Sequence, residues 1–88
     1  IREICVSRGG ITETAVDVRV IMRECLFNNA TTLAVTHNHP SGNTQPSRED
    51  DSLTSRIQKA CNLLSIYLAD HIILTDGGYF SYRDEGKL

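Results

Sequence analysis

The sequence lacks the cysteine patterns that would assign it quickly to a class of protein. Cys5, Cys25 and Cys61 are its only cysteines, and they form no C-x-x-C pair. This argues against a disulfide scaffold or a zinc finger and favours a reduced, intracellular protein. Cys25 and Cys61 fall on the apolar faces of predicted helices, so we interpret them as buried small hydrophobic residues.

Long apolar runs and an excess of positive charge are also missing. No segment approaches the ~20 apolar residues of a membrane span, and no charged region followed by an apolar one indicates a signal peptide. We therefore expect a cytoplasmic protein without membrane contacts. The net charge is −2 and the basic residues are scattered, so nucleic-acid binding, which needs a basic face, is not supported beyond a few phosphate contacts.

With 88 residues, of which 40% are apolar, the chain is expected to form one domain with a small core. It begins at Ile1 in an apolar-rich segment, and we interpret it as part of a longer protein.

Apolar spacing predicts two helices and several short strands. One helix begins with Asp17 as N-cap and ends at Asn28-Asn29, and a second covers roughly residues 48–64. Their predicted apolar faces consist of Val18, Ile21, Met22, Cys25 and Leu26 on the first helix and Leu53, Ile57, Ala60, Cys61 and Leu64 on the second.

Strands are predicted at residues 2–7, 32–36, 66–69, 71–75 and 79–82, with an extension or a further short strand at 12–15 and a hairpin turn at 76–78. The strand at 32–36 is almost wholly apolar, which predicts that it is buried on both faces. Helices and strands alternate through the middle of the chain, which predicts an α/β sandwich on a mixed β-sheet.

Both prolines and two of the three histidines lie in one stretch, T-H-N-H-P-S-G-N-T-Q-P-S-R-E-D, from Thr36 to Asp50. His37 and His39 are two residues apart at the end of a predicted strand, so their side chains point to the same face, about 7 Å apart along the backbone. Pro40 cannot donate to a sheet ladder and ends the strand. Two imidazoles placed in this way can converge on one metal ion.

The second half of this stretch has the pattern of a helix start. Ser47 is a predicted N-cap, with Asp50 three residues later in an arrangement similar to a capping box. The partial positive charge of a helix N-terminus keeps a carboxylate ionised, as a metal ligand must be. Glu49 and Asp51 are neighbouring alternatives for the carboxylate. Two histidines and one carboxylate with an open fourth position are typical of a catalytic zinc, which lowers the pKa of its water and polarises a carbonyl.

The spacing H-x-H, seven residues, Ser, two residues, Asp resembles the pattern of the JAB/MPN (JAMM) zinc metalloproteases. The longer form H-N-H-P-S-G-x-x-x-P-S-x-x-D, with the later D-H-I-I and Y-F-S-Y, is similar to the RadC branch of that family. The resemblance covers nearly all of the chain, from Asp17 to Tyr82. It implies a cytidine-deaminase-like α/β sandwich, with a mixed sheet flanked by helices.

The resemblance also implies roles for individual residues. His37, His39 and Asp50 would be the zinc ligands, and Ser47 would be a catalytic residue that helps to hold or polarise the oxygen of the tetrahedral intermediate. Active members of the family hydrolyse peptide or isopeptide bonds, often at the tails of ubiquitin-like proteins. The RadC name carries a DNA-repair label, whereas these residues indicate no DNA chemistry.

One part of the family's machinery has no counterpart in the predicted elements. Active members use a glutamate as general base on a strand well upstream of the first histidine. When the first helix and the H-N-H run are matched to the family pattern, that strand falls before Ile1. The upstream carboxylates of this chain, none of which falls at that position, are Glu3, Glu13, Asp17 and Glu24. We therefore hypothesise one RadC-like JAB/MPN domain, residues 1–88, that is truncated at its N-terminus, lacks the base and has no turnover of its own. A missing first strand would expose a sheet edge and favour homo-oligomers.

Three other functions match parts of the pattern. A non-catalytic interaction module of the JAB/MPN fold is favoured by the missing glutamate and disfavoured by the three retained ligands. An iron(II) oxygenase also uses two histidines and a carboxylate, although such enzymes usually pair one histidine with the acid locally. A nuclease is suggested only by the letters H-N-H, which nucleases spread over a ββα unit. His71 is interpreted as a hydrogen-bonding neighbour of the site rather than a ligand.

Overall fold

The computed structural model describes residues 17–39 and 42–88. In this part of the chain the elements are α1 (Val18–Phe27), β1 (Thr32–Asn38), α2 (Arg48–Leu63), β2 (Tyr67–Thr75) and β3 (Gly78–Ser81). The predicted strands at 2–7 and 12–15 lie outside the described residues, as do Cys5, Glu3 and Glu13.

The described strands form one mixed sheet in the order β1-β2-β3. β1 pairs with β2 in parallel and β2 pairs with β3 in antiparallel orientation. Helix α2 connects the two parallel strands, as a parallel pair requires a crossover. The predicted α/β architecture on a mixed sheet is thus confirmed, and β1 and β3 lie at the edges of the described sheet.

Helix α1 begins and ends where the sequence predicts. The side chain of Asp17 accepts a hydrogen bond from the backbone N–H of Arg19 at 2.9 Å, and Asn28 is the C-cap. Four of the five predicted apolar positions are buried, namely Val18, Ile21, Met22 and Cys25. Leu26 is 54% exposed, so its predicted burial is wrong, because it lies in the last turn at the edge of the apolar stripe.

Helix α2 buries a face that is polar at one end and apolar at the other. Its buried residues are Asp50, Thr54, Ile57 and Cys61, which recur at helical spacing. Leu64, predicted as the last residue of this face, is instead the C-cap and is 39% exposed. Cys25 and Cys61 are both free and buried, which confirms their interpretation as core residues.

Two strand predictions are wrong. β2 is one strand rather than two, because its ladder with β1 continues past a register irregularity opposite Leu33 and Ala34. β1 extends to Asn38 and alternates between exposed and half-buried residues, whereas burial on both faces was expected. Among residues 17–39 and 42–88, only one face of this strand packs on the core, through Leu33 and Val35.

The core lies between the two helices and β2. It consists of Val18, Ile21, Met22, Cys25, Ile57, Cys61, Ile66 and Leu68, and a second cluster at the β2–β3 hairpin contains Ile73, Phe80 and Tyr82. This packing places the carboxyl end of β1 beside the first turn of α2, which is the end of an α/β sheet where ligands bind. In the described part of the chain, neither helix is long and apolar enough to cross a membrane.

Candidate metal centre

Three side chains from the end of β1 and the start of α2 converge. His37, His39 and Asp50 each offer one ligand atom, and these atoms lie within 4.8 Å of one another. The Nε2 atom of His37 is 3.1 Å from Oδ1 of Asp50, and the Nε2 atom of His39 is 3.0 Å from Oδ2 of the same carboxylate. The structure therefore brings together the three residues that the sequence singled out.

His39 is held in one ring orientation by the loop that follows it. Its Nδ1 atom is 2.7 Å from the backbone oxygen of Asn43, and a carbonyl oxygen can only accept, so Nδ1 donates. Its backbone N–H donates to the carbonyl of Leu74 at 3.0 Å. In the neutral ring, Nε2 then carries a lone pair that points to the carboxylate of Asp50.

The loop between the histidines and α2 needs a left-handed turn. Gly42 has φ of +83°, a conformation that costs a residue with a Cβ more than it costs glycine. Its N–H donates to the carbonyl of His39 at 3.1 Å. The glycine therefore allows the loop to turn directly after the histidines.

The ligand atom of His37 is enclosed by the protein. Its Nε2 atom is buried and has no hydrogen-bond partner, although the carboxylate of Asp50 is near. Burial lowers the pKa of His37, and this outweighs the opposing effect of Asp50. The neutral form is therefore favoured, which is the form that binds a metal.

Asp50 is a buried carboxylate at the third position of α2, 3% exposed. Its Oδ2 atom accepts a hydrogen bond of 2.7 Å from the backbone N–H of Ser47, and its own N–H donates to the hydroxyl of Ser47 at 3.1 Å. This reciprocal pair is the predicted capping box. Burial raises the pKa of Asp50, but the contacts with Ser47 and the two histidines lower it by more, so the net pKa is below its usual value.

The neighbouring carboxylates do not compete with Asp50. Glu49 is exposed, and Asp51 accepts a hydrogen bond of 2.8 Å from the hydroxyl of Tyr82. Within residues 17–39 and 42–88, no glutamate belongs to the convergent group. Glu24 lies on α1, where its Oε2 atom is 3.6 Å from Nη2 of Arg23.

His71 lies directly behind His37. It is fully buried, at 0% exposed, and its Nε2 atom is 2.9 Å from Nδ1 of His37. Burial lowers its pKa to about 4, and the nearby His37 acts in the same direction. The structure thus makes His71 a hydrogen-bonding neighbour of His37, as the sequence predicted.

Sequence reasoning missed Thr54, which is 4% exposed. Its hydroxyl is 2.5 Å from Nδ1 of His71 and donates to the backbone oxygen of Asp50 at 2.8 Å. The available signal was its spacing, because Thr54 follows Asp50 by four residues and so lies on the same face of α2.

The chain resembles known proteins over nearly its whole length. The model of the family described as RadC-like JAB domain matches residues 1–87. A UPF0758 protein of Porphyromonas gingivalis is 51% identical over 83 residues, which cover 93% of this chain and 37% of that protein. A UPF0758 protein of Flavobacterium johnsoniae is 45% identical over 80 residues, which cover 91% of this chain and 35% of that protein. A UPF0758 protein of Clostridioides difficile is 40% identical over 84 residues, which cover 96% of this chain and 36% of that protein.

This chain thus spans little more than about a third of the length of these curated relatives. The family match extends through the convergent histidines and the carboxylate at the start of α2, and through the buried histidine behind them. The chain belongs to the RadC-like JAB domain family.

Proposed function

We propose that this chain forms the metal-binding part of a zinc-dependent metallopeptidase or isopeptidase domain, with His37, His39 and Asp50 as the zinc ligands. The observation that carries the proposal is the buried Nε2 atom of His37, which has no hydrogen-bond partner and faces a carboxylate oxygen at 3.1 Å. A buried polar atom without a partner is costly. A cation shared with Asp50 and His39 would satisfy it.

The donor set and its spacing fit zinc. With bonds of about 2.0–2.1 Å and tetrahedral angles, two ligand atoms on zinc are about 3.3 Å apart. The two nitrogen–oxygen separations are 3.1 and 3.0 Å, so small shifts of the side chains would suffice. Two imidazoles and one carboxylate leave a fourth position open, as in catalytic rather than structural zinc sites.

When bound, zinc supplies Lewis-acid chemistry, because it acidifies water and polarises a carbonyl. The residues of the chain hold and orient the reacting groups. Asp50 stays ionised through its contacts with Ser47, and the N-terminus of α2 favours negative charge near it. The hydroxyl of Ser47 uses a lone pair to accept from Asp50, which leaves its proton for the proposed catalytic role, a hydrogen bond to the developing oxyanion.

The substrate and the general base are further parts of the proposal. A peptide or a ubiquitin-like protein is the proposed substrate, on the strength of the family resemblance. The base would come from outside residues 17–39 and 42–88, because no glutamate of the described part joins the group. The finer fold assignment, a cytidine-deaminase-like sandwich, is proposed on the same resemblance.

Metal analysis after purification without added metal tests the ligand assignment. We expect near-stoichiometric zinc in the wild-type protein, its loss in the His37→Ala/His39→Ala double variant and in Asp50→Asn, and its retention in Glu49→Gln, a matched change in the same helical turn. Zinc retained by the double variant contradicts the assignment. Stoichiometric iron instead would favour an oxygenase.

A cleavage assay tests the reaction. The full-length protein and this chain are incubated with peptide and isopeptide-linked substrates, with and without a chelator. We expect chelator-sensitive cleavage by the full-length protein and none by the chain alone. Zinc binding without cleavage by either would favour the second candidate, a non-catalytic JAB/MPN-fold module, which the absence of a glutamate from the described metal-binding group supports.

A further inference from the structure

We infer that Thr54 and His71 set the tautomer of His37, so that its Nε2 atom carries a lone pair toward Asp50. The two residues form a proton-ordered chain of hydrogen bonds, Asp50 backbone oxygen–Thr54–His71–His37, which we call the relay. For its consequence, zinc affinity, the inference rests on the proposed function. The order of the protons itself depends only on the contacts of the chain.

The relay begins at the backbone oxygen of Asp50, which can only accept a hydrogen bond. The hydroxyl of Thr54 lies 2.8 Å from the backbone oxygen of Asp50, and a carbonyl oxygen accepts but cannot donate. The hydroxyl therefore donates, and its single proton is committed to the helix backbone. Toward any further partner the oxygen of Thr54 can only accept.

That further partner is His71. Its Nδ1 atom is 2.5 Å from the oxygen of Thr54, so Nδ1 carries the proton and donates. A neutral imidazole has one N–H, and the ring is neutral because full burial disfavours its charged form. The Nε2 atom of His71 is therefore an acceptor.

The last step places the proton on His37. Its Nδ1 atom faces the accepting Nε2 atom of His71 at 2.9 Å, so Nδ1 of His37 donates. The Nε2 atom of His37 then has no proton, in agreement with its lack of a hydrogen bond beside Asp50. The relay starts at the backbone oxygen of Asp50 and ends opposite the carboxylate of the same residue. The first turn of α2 therefore positions both the start of the relay and the carboxylate that faces its end.

Packing keeps the ring of His71 from turning over. Its ring stacks on Tyr82 with 4.8 Å between centroids and 5° between planes, and Tyr82 is itself 2% exposed. A flipped ring would place carbon atoms opposite Thr54 and His37 and leave buried polar atoms unpaired. His71 and Thr54 are thus positioning residues, which act on the metal through His37.

The first experiment reads the tautomers directly. The full-length protein is labelled with ¹⁵N-histidine and freed of metal, and long-range ¹H–¹⁵N correlation spectra are recorded near pH 7.5, with signals assigned by single histidine substitutions. We expect the Nδ1–H tautomer in both His37 and His71. An Nε2–H tautomer of His37, or a charged His71, overturns the inference.

The second experiment removes the start of the relay. Thr54→Val keeps the volume and loses the hydroxyl, and Thr54→Ser keeps the hydroxyl. We expect Thr54→Val to abolish the preference of His37 for Nδ1–H and to weaken zinc binding about 10–100-fold, measured by competition with a chelator. Thr54→Ser should restore the tautomer and bring zinc affinity to within about threefold of the wild type.

The outcomes separate this inference from the proposed function. Unchanged tautomers in a folded Thr54→Val protein overturn the relay. Changed tautomers with unchanged zinc affinity support the proton order and overturn its effect on zinc binding. If Thr54→Val does not fold, the tautomers of the wild-type protein and of the Thr54→Ser variant still test the inference, because an Nε2–H tautomer of His37 in either protein overturns it. The expected tautomers in a wild-type protein that binds no zinc support the relay and overturn the zinc site.

Discussion

The hydroxyl of Tyr82 donates a hydrogen bond of 2.8 Å to Oδ1 of Asp51. Tyr82 follows β3 and Asp51 lies in the first turn of α2, so this bond connects the hairpin to the turn that carries Asp50. Burial raises the pKa of Tyr82, and the bond to Asp51 acts in the same direction, so the hydroxyl stays a donor. Since its ring also stacks on His71, Tyr82 contacts two residues that neighbour the proposed ligands Asp50 and His37.

Tyr82→Phe should lower the free energy of unfolding by about 0.5–1.5 kcal/mol, because it removes one hydrogen bond and keeps the ring. Tyr82→Leu should cost more, since it also removes the stack on His71. The measurement is urea unfolding in the presence of a chelator. Tyr79→Phe is the matched control, because Tyr79 is 63% exposed, and it should leave stability unchanged. Equal losses in Tyr82→Phe and Tyr82→Leu would contradict the supporting role of the stack.

Ser47→Ala should destabilise the protein by about 1 kcal/mol, because α2 loses its side-chain N-cap. Zinc should still bind, since the backbone N–H of Ser47 continues to donate to Asp50. Ser52→Ala, at an exposed position of the same helix, is the control. In an active full-length protein, a fall in kcat far beyond that of the stability-matched Tyr82→Phe variant would support the catalytic role of Ser47. A fall in kcat similar to that of Tyr82→Phe would indicate that Ser47 acts only as the N-cap of α2.

Asp70 should contribute to stability at neutral pH and lose that contribution in acid. Burial raises its pKa, but hydrogen bonds from Ser81, Arg83 and His71 lower it by more, so the folded-state pKa lies below the ordinary 3.8. A lowered pKa stabilises the fold above the unfolded-state pKa, and this stabilisation disappears as the pH falls below about 4.

The check is urea unfolding of wild type and Asp70→Asn between pH 7 and pH 3. The variant should be less stable at pH 7, and the difference should shrink below pH 4. Asp76→Asn, at the exposed turn between β2 and β3, should show a smaller effect at every pH. A difference between wild type and Asp70→Asn that stays constant down to pH 3 would show that the carboxylate charge is not involved.

Cys25 and Cys61 should be unreactive in the folded protein. Both are buried in the core, and burial raises the pKa of each thiol, so little thiolate is present or accessible. In a Cys5→Ser background they should react with a thiol reagent at least about a hundredfold more slowly than an added Asn62→Cys thiol, which would be exposed, because they must await opening of the core. Rapid labelling of Cys61 without denaturant would contradict the packing of α2.

Local chemistry explains which features could be predicted from the sequence. The capping box of Ser47 and Asp50 spans four consecutive residues, so its geometry follows once a helix begins there. The N-cap of α1 at Asp17 and the apolar stripe of Cys25 and its neighbours were predictable for the same reason, since helical periodicity is a property of the nearby chain.

The failures involve distant contacts. The predicted strand at 32–36 was expected to be buried on both faces, but whether a second face is covered depends on which elements pack on the sheet. The continuity of β2 was missed because pairing with β1, more than thirty residues away in the sequence, carries the ladder across Ala69 and Asp70. Leu26 and Leu64 were assigned to the core because helical periodicity predicts which face of a helix is apolar. It does not predict at which residue that face ceases to be covered by other elements.

The sequence by itself determined the composition of the site: two histidines at strand spacing and a carboxylate held ionised at a helix start. Only the tertiary structure decided that they meet, because the parallel pairing of β1 and β2 and the crossover of α2 place a strand end against a helix start. It alone also brought His71 behind His37, across a separation of 34 residues. The physical reason is that hydrogen-bond propensities and periodicity act over a few residues, whereas the tautomer and burial of an imidazole are set by whatever the whole fold packs around it.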